Sequence, residues 1–280
     1  MNRQFSLTRP TFSSAIRPAR GLLAAVALTG GVLGAGLAVA PVASAASNEA
    51  YVATEGAGNS LDYYDATPGS AWTLGEVAGT DTTYSAPAVA IRSTGELDIV
   101  AEGPSHSLMY YVNFGSGWVA TKIAAKGTTY SAPSIFVRSD GEADIVAQGP
   151  NDSLDYYDAT PDSAWTKTVI AGSDTTYSAP SVFVRSNGEA DVVAEGPTDS
   201  LDYYDATPDS AWTQTVIAGG KTTYSAPSVF VRSDGEADVV AEGPTYSLDY
   251  YDATPDSAWT QTVIAGSDTT YSAASITVSD

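Results

Sequence analysis

Aspartate, tyrosine and tryptophan recur together at fixed spacing along this chain. The stretch SLDYYDATPDSAWT occurs three times without a change, at positions 153–166, 200–213 and 247–260. Aromatic rings stack on the C–H faces of ring-shaped ligands, and carboxylates accept hydrogen bonds from hydroxyl groups. These residues could therefore form a site for a hydroxyl-rich ligand, or they could be a packing unit that the chain uses several times.

One Asp, one Tyr and the Trp of each copy are the candidate ligand-binding residues. Alternate residues of a strand share a face, so Asp155 and Tyr157 point the same way, and Trp165 follows after one turn. The full candidate set is Asp62, Tyr64, Trp72, Asp155, Tyr157, Trp165, Asp202, Tyr204, Trp212, Asp249, Tyr251 and Trp259. Packing between neighbouring units is the competing interpretation for the aromatic residues.

One unit departs from this pattern. It reads SLMYYVNFGSGWVA, so Met109 and Val112 replace two Asp residues while Trp118 is retained. This pattern indicates that the aromatic residues have a structural role, and that the carboxylates belong either to a binding site or to the solvent-exposed surface. We expect a pocket that depends on those carboxylates to be lost from this unit.

Five repeated units fill the chain after residue 46. The motif Ser-Leu-x-Tyr-Tyr begins at positions 60, 107, 153, 200 and 247, at spacings of 46 or 47 residues. Each unit predicts four short strands separated by turns, which is the size of one propeller blade. Apolar and polar residues alternate only weakly in the first two strands, as expected for a blade that neighbours cover on both faces.

The two ends of the repeat region complement each other. The beginning, SNEAYVATEG, aligns with the second strand of a unit, and the end, SAASITVSD, aligns with the first strand. We therefore predict an all-β, five-bladed β-propeller with four antiparallel strands per blade, closed by the C-terminal strand joining the N-terminal strands. The predicted blades are residues 272–280 with 47–81, then 85–128, 131–175, 178–222 and 225–269. An open solenoid is the alternative architecture.

The motifs SAPSVFVRS, DVVAEGP and SLDYY resemble two groups of proteins over residues 47–280. One is the five-bladed propeller lectins of the tachylectin type, and the other is the secreted bacterial propellers with FG-GAP or VCBS-like repeats. The first resemblance implies a multivalent carbohydrate-binding module with sites repeated around the ring.

The second resemblance raises the question of calcium. FG-GAP-like repeats often carry an Asp-rich calcium loop, but VRSDGEAD at 137–144 keeps only the second half of that pattern, with Arg138 and Ser139 at early ligand positions. Calcium needs six to eight oxygen ligands. We expect no cofactor, and a calcium ion in these turns is the weaker alternative.

The first 45 residues predict a signal peptide. They contain four Arg, no acidic residue and an apolar run that ends near Ala-Ser-Ala at 43–45. The remaining chain, 46–280, has 8 Lys and Arg against 33 Asp and Glu, a net charge of −25, and no Cys. We expect a secreted protein that binds neither nucleic acid nor, after cleavage, a membrane.

Binding is favoured over catalysis. The chain has one His, His106, and no Cys, and its carboxylates recur from unit to unit, whereas a glycosidase site is asymmetric. We expect a non-enzymatic, lectin-like protein whose partners are glycans or cell-surface polysaccharide. A structural or adhesion propeller without a small-molecule site is the alternative, and a five-bladed glycoside hydrolase is the weaker one.

Overall fold

The computed structural model describes residues 49–161 and 163–278. The predicted signal peptide, residues 1–45, lies outside the described residues. The described chain is all-β, as predicted, with nineteen strands in five antiparallel sheets and one short 3-10 turn at Pro244–Tyr246. Within this part of the chain, no helix is long and apolar enough to cross a membrane.

Sheet 1 has three strands, and sheets 2 to 5 have four strands each. The strands of sheet 1 are β1 (Ala50–Glu55), β2 (Leu61–Ala66) and β3 (Thr73–Ala78). Those of sheet 2 are β4 (Ala88–Ile91), β5 (Leu97–Gly103), β6 (Ser107–Asn113) and β7 (Trp118–Ala124). Sheet 3 contains β8 (Ser134–Val137), β9 (Ala143–Gln148), β10 (Leu154–Ala159) and β11 (Thr166–Ala171). Sheet 4 contains β12 (Ser181–Val184), β13 (Ala190–Gly196), β14 (Ser200–Ala206) and β15 (Thr213–Ala218). Sheet 5 contains β16 (Ser228–Val231), β17 (Ala237–Glu242), β18 (Leu248–Ala253) and β19 (Thr260–Ala265).

Strands that follow one another in the chain lie side by side in each sheet. A tight hairpin joins the first two strands of sheets 2 to 5. In sheet 4, the N–H of Gly188 donates to the carbonyl of Arg185 at 2.9 Å, and Gly188 has a φ of +87° that favours glycine. The N–H of Arg185 donates to the carbonyl of Glu189 at 2.8 Å. The hairpin therefore holds an Arg and a Glu side by side.

Consecutive sheets pack face to face through their second and third strands. Every residue of β5 and of β9 is buried, which explains their weak apolar alternation. Between sheets 3 and 4, Val146 and Leu154 pack against Val192 and Tyr204, and each of these side chains is at most 2% exposed. The hydrophobic core is thus a series of equivalent layers between sheets.

The first strands of successive sheets also lie next to one another. The N–H of Val182 donates to Ser134 Oγ at 3.3 Å, and the N–H of Val229 donates to Ser181 Oγ at 3.3 Å. The rings of Phe136, Phe183 and Phe230 follow one another with centroids 5.0 and 5.1 Å apart. This side of the stack is therefore continuous across sheets 3, 4 and 5.

The predicted closing blade is not formed by the described residues. Residues 272–278 contain no strand, and β1 has only β2 as a ladder partner in the three-stranded sheet 1. Instead, the N–H of Ile276 donates to Ser228 Oγ at 3.3 Å, so this segment lies beside β16. Residues 272–278 therefore occupy the position that the first strand of a sixth sheet would have, but no second strand pairs with them. The described sheets do not form a closed ring.

A glycine and an aspartate make a close contact inside sheets 1, 3, 4 and 5. A Cβ atom on Gly196 would lie 2.2 Å from Asp202 Oδ2 and 2.5 Å from Ser200 Oγ. Asp202 is 1% exposed and stands at a bulge of β14, so it has little room to move. The absence of a side chain at Gly196 is therefore a packing requirement.

We predict that Gly196→Ala lowers the free energy of unfolding by about 1–3 kcal/mol, because the added methyl group overpacks this contact. Gly219→Ala, directly after β15 of the same sheet, is the matched control, since an added Cβ there meets no atom within 4 Å. It should leave stability unchanged or slightly higher. Urea unfolding of both variants measures the difference, and equal midpoints would contradict the packing requirement.

Candidate functional site

The predicted Asp and Tyr residues lie inside the sheets. Asp155, Asp202 and Asp249 are at most 1% exposed, and Tyr157, Tyr204 and Tyr251 are 2% exposed. Asp62 and Tyr64 of sheet 1 are half-buried. A sugar cannot stack on a side chain that protein atoms cover, so these six side chains are not accessible to a ligand in this arrangement. Trp165, Trp212 and Trp259 are partly exposed and Trp72 is exposed, and of these Trp165 and Trp212 line grooves.

The buried Asp residues have partners within their own sheet. Lys167 Nζ lies 2.6 Å from Asp155 Oδ2, and Gln214 Nε2 donates to Asp202 Oδ2 at 3.1 Å. In sheet 2 the equivalent residue is Met109, which fills the same space against Gly103. An apolar side chain can therefore replace the Asp, as expected for a packing role rather than a ligand role.

The Trp residues connect neighbouring sheets. Trp212 of sheet 4 contacts Tyr156 of sheet 3 edge-on, with ring centroids 5.1 Å apart and an interplanar angle of 65°. The same contact recurs with centroids 5.0 to 5.4 Å apart in Tyr63–Trp118, Tyr110–Trp165 and Tyr203–Trp259. Trp165 and Trp212 therefore pack on one side and border a groove on the other.

An Arg, an Asp and a Tyr form a hydrogen-bonded cluster in each of sheets 2 to 5. In sheet 3, Arg138 Nε donates to Asp144 Oδ2 at 2.8 Å and Arg138 Nη2 donates to Asp144 Oδ1 at 2.6 Å. The hydroxyl of Tyr156 also donates to Asp144, which has no exposed side-chain surface. The remaining nitrogen, Arg138 Nη1, lies 3.2 Å from Glu142 Oε1. Equivalent clusters are Arg92–Asp98–Tyr110, Arg185–Asp191–Tyr203 and Arg232–Asp238–Tyr250.

Burial controls the electrostatics of this cluster. It raises the pKa of Asp144, although hydrogen bonds from Arg138 and Tyr156 oppose the rise. Burial and the charge of Asp144 raise the pKa of Tyr156, which stays a hydrogen-bond donor. Burial also raises the pKa of Glu142, against the effect of Arg138. Glu142 is therefore a titratable group of the groove with a pKa above the ordinary range.

The groove between sheets 3 and 4 has a volume of about 510 Å³. Sheet 3 supplies Arg138, Glu142 and Asp158 to one wall, and sheet 4 supplies Pro208 and Trp212 to the other. This volume is within the range of small-molecule sites, about 300–1,000 Å³. The groove thus combines charge-paired donors and acceptors with an aromatic side chain.

The groove between sheets 2 and 3 has a volume of about 600 Å³ and the same plan. It contains Arg92, Glu96 and Trp165, but Val112 stands where the next groove has Asp158. The sequence predicted the loss of a carboxylate-dependent pocket from this unit; one carboxylate is absent here, but a groove with an Arg and a Glu remains. The grooves are therefore similar but not identical.

The hairpin turns show no metal site. Asp144 is bound to Arg138, and Asp140 Oδ1 accepts the N–H of Glu142 at 3.1 Å. Among residues 49–161 and 163–278, no group of three or more His, Cys, Asp or Glu side chains is placed to hold a metal ion.

Sequence reasoning missed the Arg and Glu residues of the grooves. The pattern Arg-x-x-Gly-Glu-x-Asp occurs four times, and every Arg beyond residue 45 stands at its first position, in a chain segment with only eight cationic residues. These residues are Arg92, Arg138, Arg185 and Arg232. The restriction of every Arg in this segment to one position of the repeat was the signal that could have identified these residues.

No protein-family model and no curated protein matches this chain. Solved structures do match. The BP39L lectin from Burkholderia pseudomallei has a TM-score of 0.72 and 14% identity, covering 79% of this chain and 68% of that chain. The SapL1 lectin in complex with alpha methyl fucoside has a TM-score of 0.54 and 12% identity, covering 77% and 80%. The Aleuria aurantia lectin, described as a six-bladed β-propeller with a novel fucose recognition mode, has a TM-score of 0.50 and 14% identity, covering 81% and 84%.

These likenesses show the fold alone, a β-propeller architecture built from consecutive antiparallel sheets. They do not confirm the narrower resemblance to tachylectin, FG-GAP or VCBS-like repeats. The described part of this chain has five sheets, whereas the Aleuria lectin is described as six-bladed.

Adjacent tyrosines of sheet 4 give a direct test of the cluster. We predict that Tyr203→Phe lowers the free energy of unfolding by about 1–2 kcal/mol, because the hydroxyl donates to Asp191 and accepts from Arg185 at 3.1 Å. Tyr204→Phe is the control: its hydroxyl is buried and has no hydrogen-bond partner among the described residues. Removing it should be neutral or stabilising. Thermal unfolding compares the two, and a larger loss in Tyr204→Phe would refute the assignment.

Proposed function

We propose that this protein is a secreted, lectin-like propeller that binds neutral glycans in the grooves between successive sheets. The pairing of an Arg and a Glu with a Trp from the next sheet is the observation that carries the proposal. Grooves of this kind lie between sheets 2 and 3 and between sheets 3 and 4, and at the junction of sheets 4 and 5 Arg185, Glu189 and Trp259 occupy the corresponding positions.

The groove chemistry suits adjacent hydroxyl groups. Arg138 Nη1 can donate and Glu142 Oε1 can accept, and the two atoms are 3.2 Å apart. Asp144 holds the guanidinium from below with two hydrogen bonds, so its orientation is fixed before a ligand arrives. Trp212 on the other wall offers a surface for the C–H face of a sugar.

A 6-deoxy sugar is the ligand class we propose first. Ala190, Ala206 and Trp212 give one side of the groove between sheets 3 and 4 an apolar lining that can accept a methyl group. Two of the neighbouring lectins are described with fucose or a fucoside, which supports this choice. Alpha methyl fucoside is therefore the probe for solution experiments.

Several similar grooves favour dense glycan surfaces. Linked weak sites raise avidity by about 10²-fold or more when geometry allows simultaneous contact. The acidic surface, with a net charge of −25 after residue 45, disfavours nucleic acid and anionic lipid as partners. Export is proposed on the Arg-rich, apolar leader and its Ala-Ser-Ala site.

Binding without catalysis is part of the proposal. The groove between sheets 2 and 3 keeps Arg92 and Glu96, but Val112 removes the carboxylate that Asp158 supplies in the next groove. A pair of opposed carboxylates, as glycoside hydrolysis needs, is therefore not a shared feature of the grooves. The lectin neighbours support the same interpretation.

We predict that Glu142→Ala removes binding at one groove. A hydrogen bond to a charged group contributes about 1.5–3 kcal/mol, so affinity there should fall at least about tenfold. Titration calorimetry with alpha methyl fucoside should show one binding site fewer per chain than the wild-type protein. Asp202→Met is the control, because Met109 fills the equivalent space in sheet 2. It should bind like the wild type, and a glycan array without any retained sugar would contradict the proposal.

Acidification should weaken binding. Burial raises the pKa of Glu142, so this side chain gains a proton at a higher pH than an ordinary Glu and loses its charge as an acceptor. Calorimetry between about pH 7 and about pH 4 should show affinity at this groove falling as pH drops through the raised pKa. Glu142→Gln should lack this component, and an identical pH profile in both proteins would rule out the role of Glu142.

A further inference from the structure

The outer face of sheet 1 is uncovered, unlike the same face of every other sheet. Val52 of β1 is 46% exposed. The equivalent residues of the other sheets, Ile99, Ile145, Val192 and Val239, are all 0% exposed because the preceding sheet covers them. Trp72 is 53% exposed, since no Tyr of a preceding sheet contacts it as Tyr156 contacts Trp212.

The opposite face is uncovered in sheet 5, namely the face that packs against the following sheet in sheets 1 to 4. Leu248 is half-buried, whereas Leu61, Leu108, Leu154 and Leu201 are 0% exposed. Ile264 is 55% exposed, although its equivalents in other sheets are partly buried. The side chain of Arg232 is 34% exposed, against 12–19% for the other three groove Arg residues. Sheet 5 therefore carries the surface on which a next sheet would pack.

We propose that sheet 1 of a second copy of this chain packs on sheet 5 and completes one more glycan groove. This rests on the proposed function. Sheet 5 supplies Arg232, Glu236 and Tyr250, with Arg232 Nη1 and Glu236 Oε1 3.1 Å apart. Sheet 1 of the second copy supplies Trp72 and Pro68, which correspond to Trp212 and Pro208. Neither half alone has the Arg–Glu pair together with the Trp.

The backbone of the two ends is complementary as well. Sheet 1 lacks a first strand, so β1 pairs with β2 alone among the described strands, whereas the second strand of every other sheet has two neighbours. Residues 272–278 already lie beside β16, through the bond from Ile276 N–H to Ser228 Oγ, in the position of a first strand. By the register of β12 and β13, Ile276 would stand opposite Val52 of the second copy. Docking would thus produce a four-stranded sheet from two chains.

A second copy fits these surfaces better than the same chain does. If sheet 1 packed on sheet 5 of its own chain, Val52, Trp72 and Ile264 would be covered, and all three are about half exposed. The contact repeats the junction that sheets 2 to 5 already use, so its chemistry is established within the molecule. Because the two surfaces differ, association is head-to-tail, and it extends until the copies close on themselves.

Two single substitutions test the head-to-tail junction. Val52→Asp places a charge on the sheet 1 face, and Ile264→Asp places one on the sheet 5 face. The weight-average mass of the wild-type protein in sedimentation velocity should at least double with rising concentration, while each variant alone stays a single chain. An equimolar mixture of the two variants should form 1:1 pairs, because each keeps the surface that the other lacks. Val216→Asp, at a 56% exposed position on sheet 4, is the control and should associate like the wild type.

Closure within one chain would give the opposite results. The wild-type protein would then be a single chain at every concentration, Val52→Asp would lower the melting temperature, and the mixture would not pair; any of these outcomes overturns the proposal. If Val52→Asp does not fold, Trp72→Arg blocks the same face for the mixing experiment.

Sugar stoichiometry separates this proposal from the proposed function. In the associated protein, alpha methyl fucoside should occupy up to four grooves per chain, and Trp72→Ala should remove only the fourth. Association with no fourth site would overturn the shared groove. Association with no sugar at any groove would overturn the proposed function instead, and the junction would then stand as a protein interface alone.

Discussion

The ion pair between the Arg that follows each first strand and an Asp of the second strand is the interaction on which the rest of the structure depends. In sheet 3, Asp144 is fully buried, and its charge is acceptable only because Arg138 and Tyr156 bond to it. Removing one partner of such a pair costs about 3–5 kcal/mol. The same pair turns the Arg toward the groove and presents Tyr156 to Trp212 of the next sheet. One contact therefore links the hairpin, the junction between sheets and the candidate site.

This contact lies at each junction between sheets. Each sheet that is added to the stack therefore adds both a packed junction and the residues of a candidate groove. A sheet contributes its Arg, Glu and Tyr to the groove on one side and its Trp to the groove on the other. Sheet 3, for example, supplies Arg138 to one groove and Trp165 to another. A binding site is thus a property of two neighbouring sheets and not of one unit. This explains why the chain leaves an unmatched half of a groove at each end: sheet 5 has an Arg and a Glu without a Trp opposite them, and sheet 1 has a Trp without a preceding sheet.

The sequence allowed prediction of the all-β class and the repeated strands, because turn residues and the 46–47 residue spacing are local signals. It identified Trp165 and Trp212, which line the candidate grooves, but not the Arg and Glu residues beside them. Asp155 and Tyr157 share a strand face, but when neighbours cover both faces, alternation no longer distinguishes interior from surface. The groove residues Arg138 and Trp212 are 74 positions apart in different units, so only the stacking of sheets brings them together. The prediction of a closing strand was also not confirmed. Alignment of residues 272–280 identified which strand of a unit they correspond to, but it did not identify the strand with which they would pair.

The distribution of charge explains why neutral, hydroxylated ligands suit the grooves. The four Arg residues beyond position 45 all lie in these junctions, and each is paired with a buried Asp. Their positive charge is therefore neutralised locally, while most of the 33 acidic residues remain to set the sign of the surface potential. A phosphate or sulfate would have to approach through that potential and then compete with Asp144 for Arg138. A sugar hydroxyl meets no such barrier, because it can donate to Glu142 and accept from Arg138 Nη1 without breaking the pair beneath them.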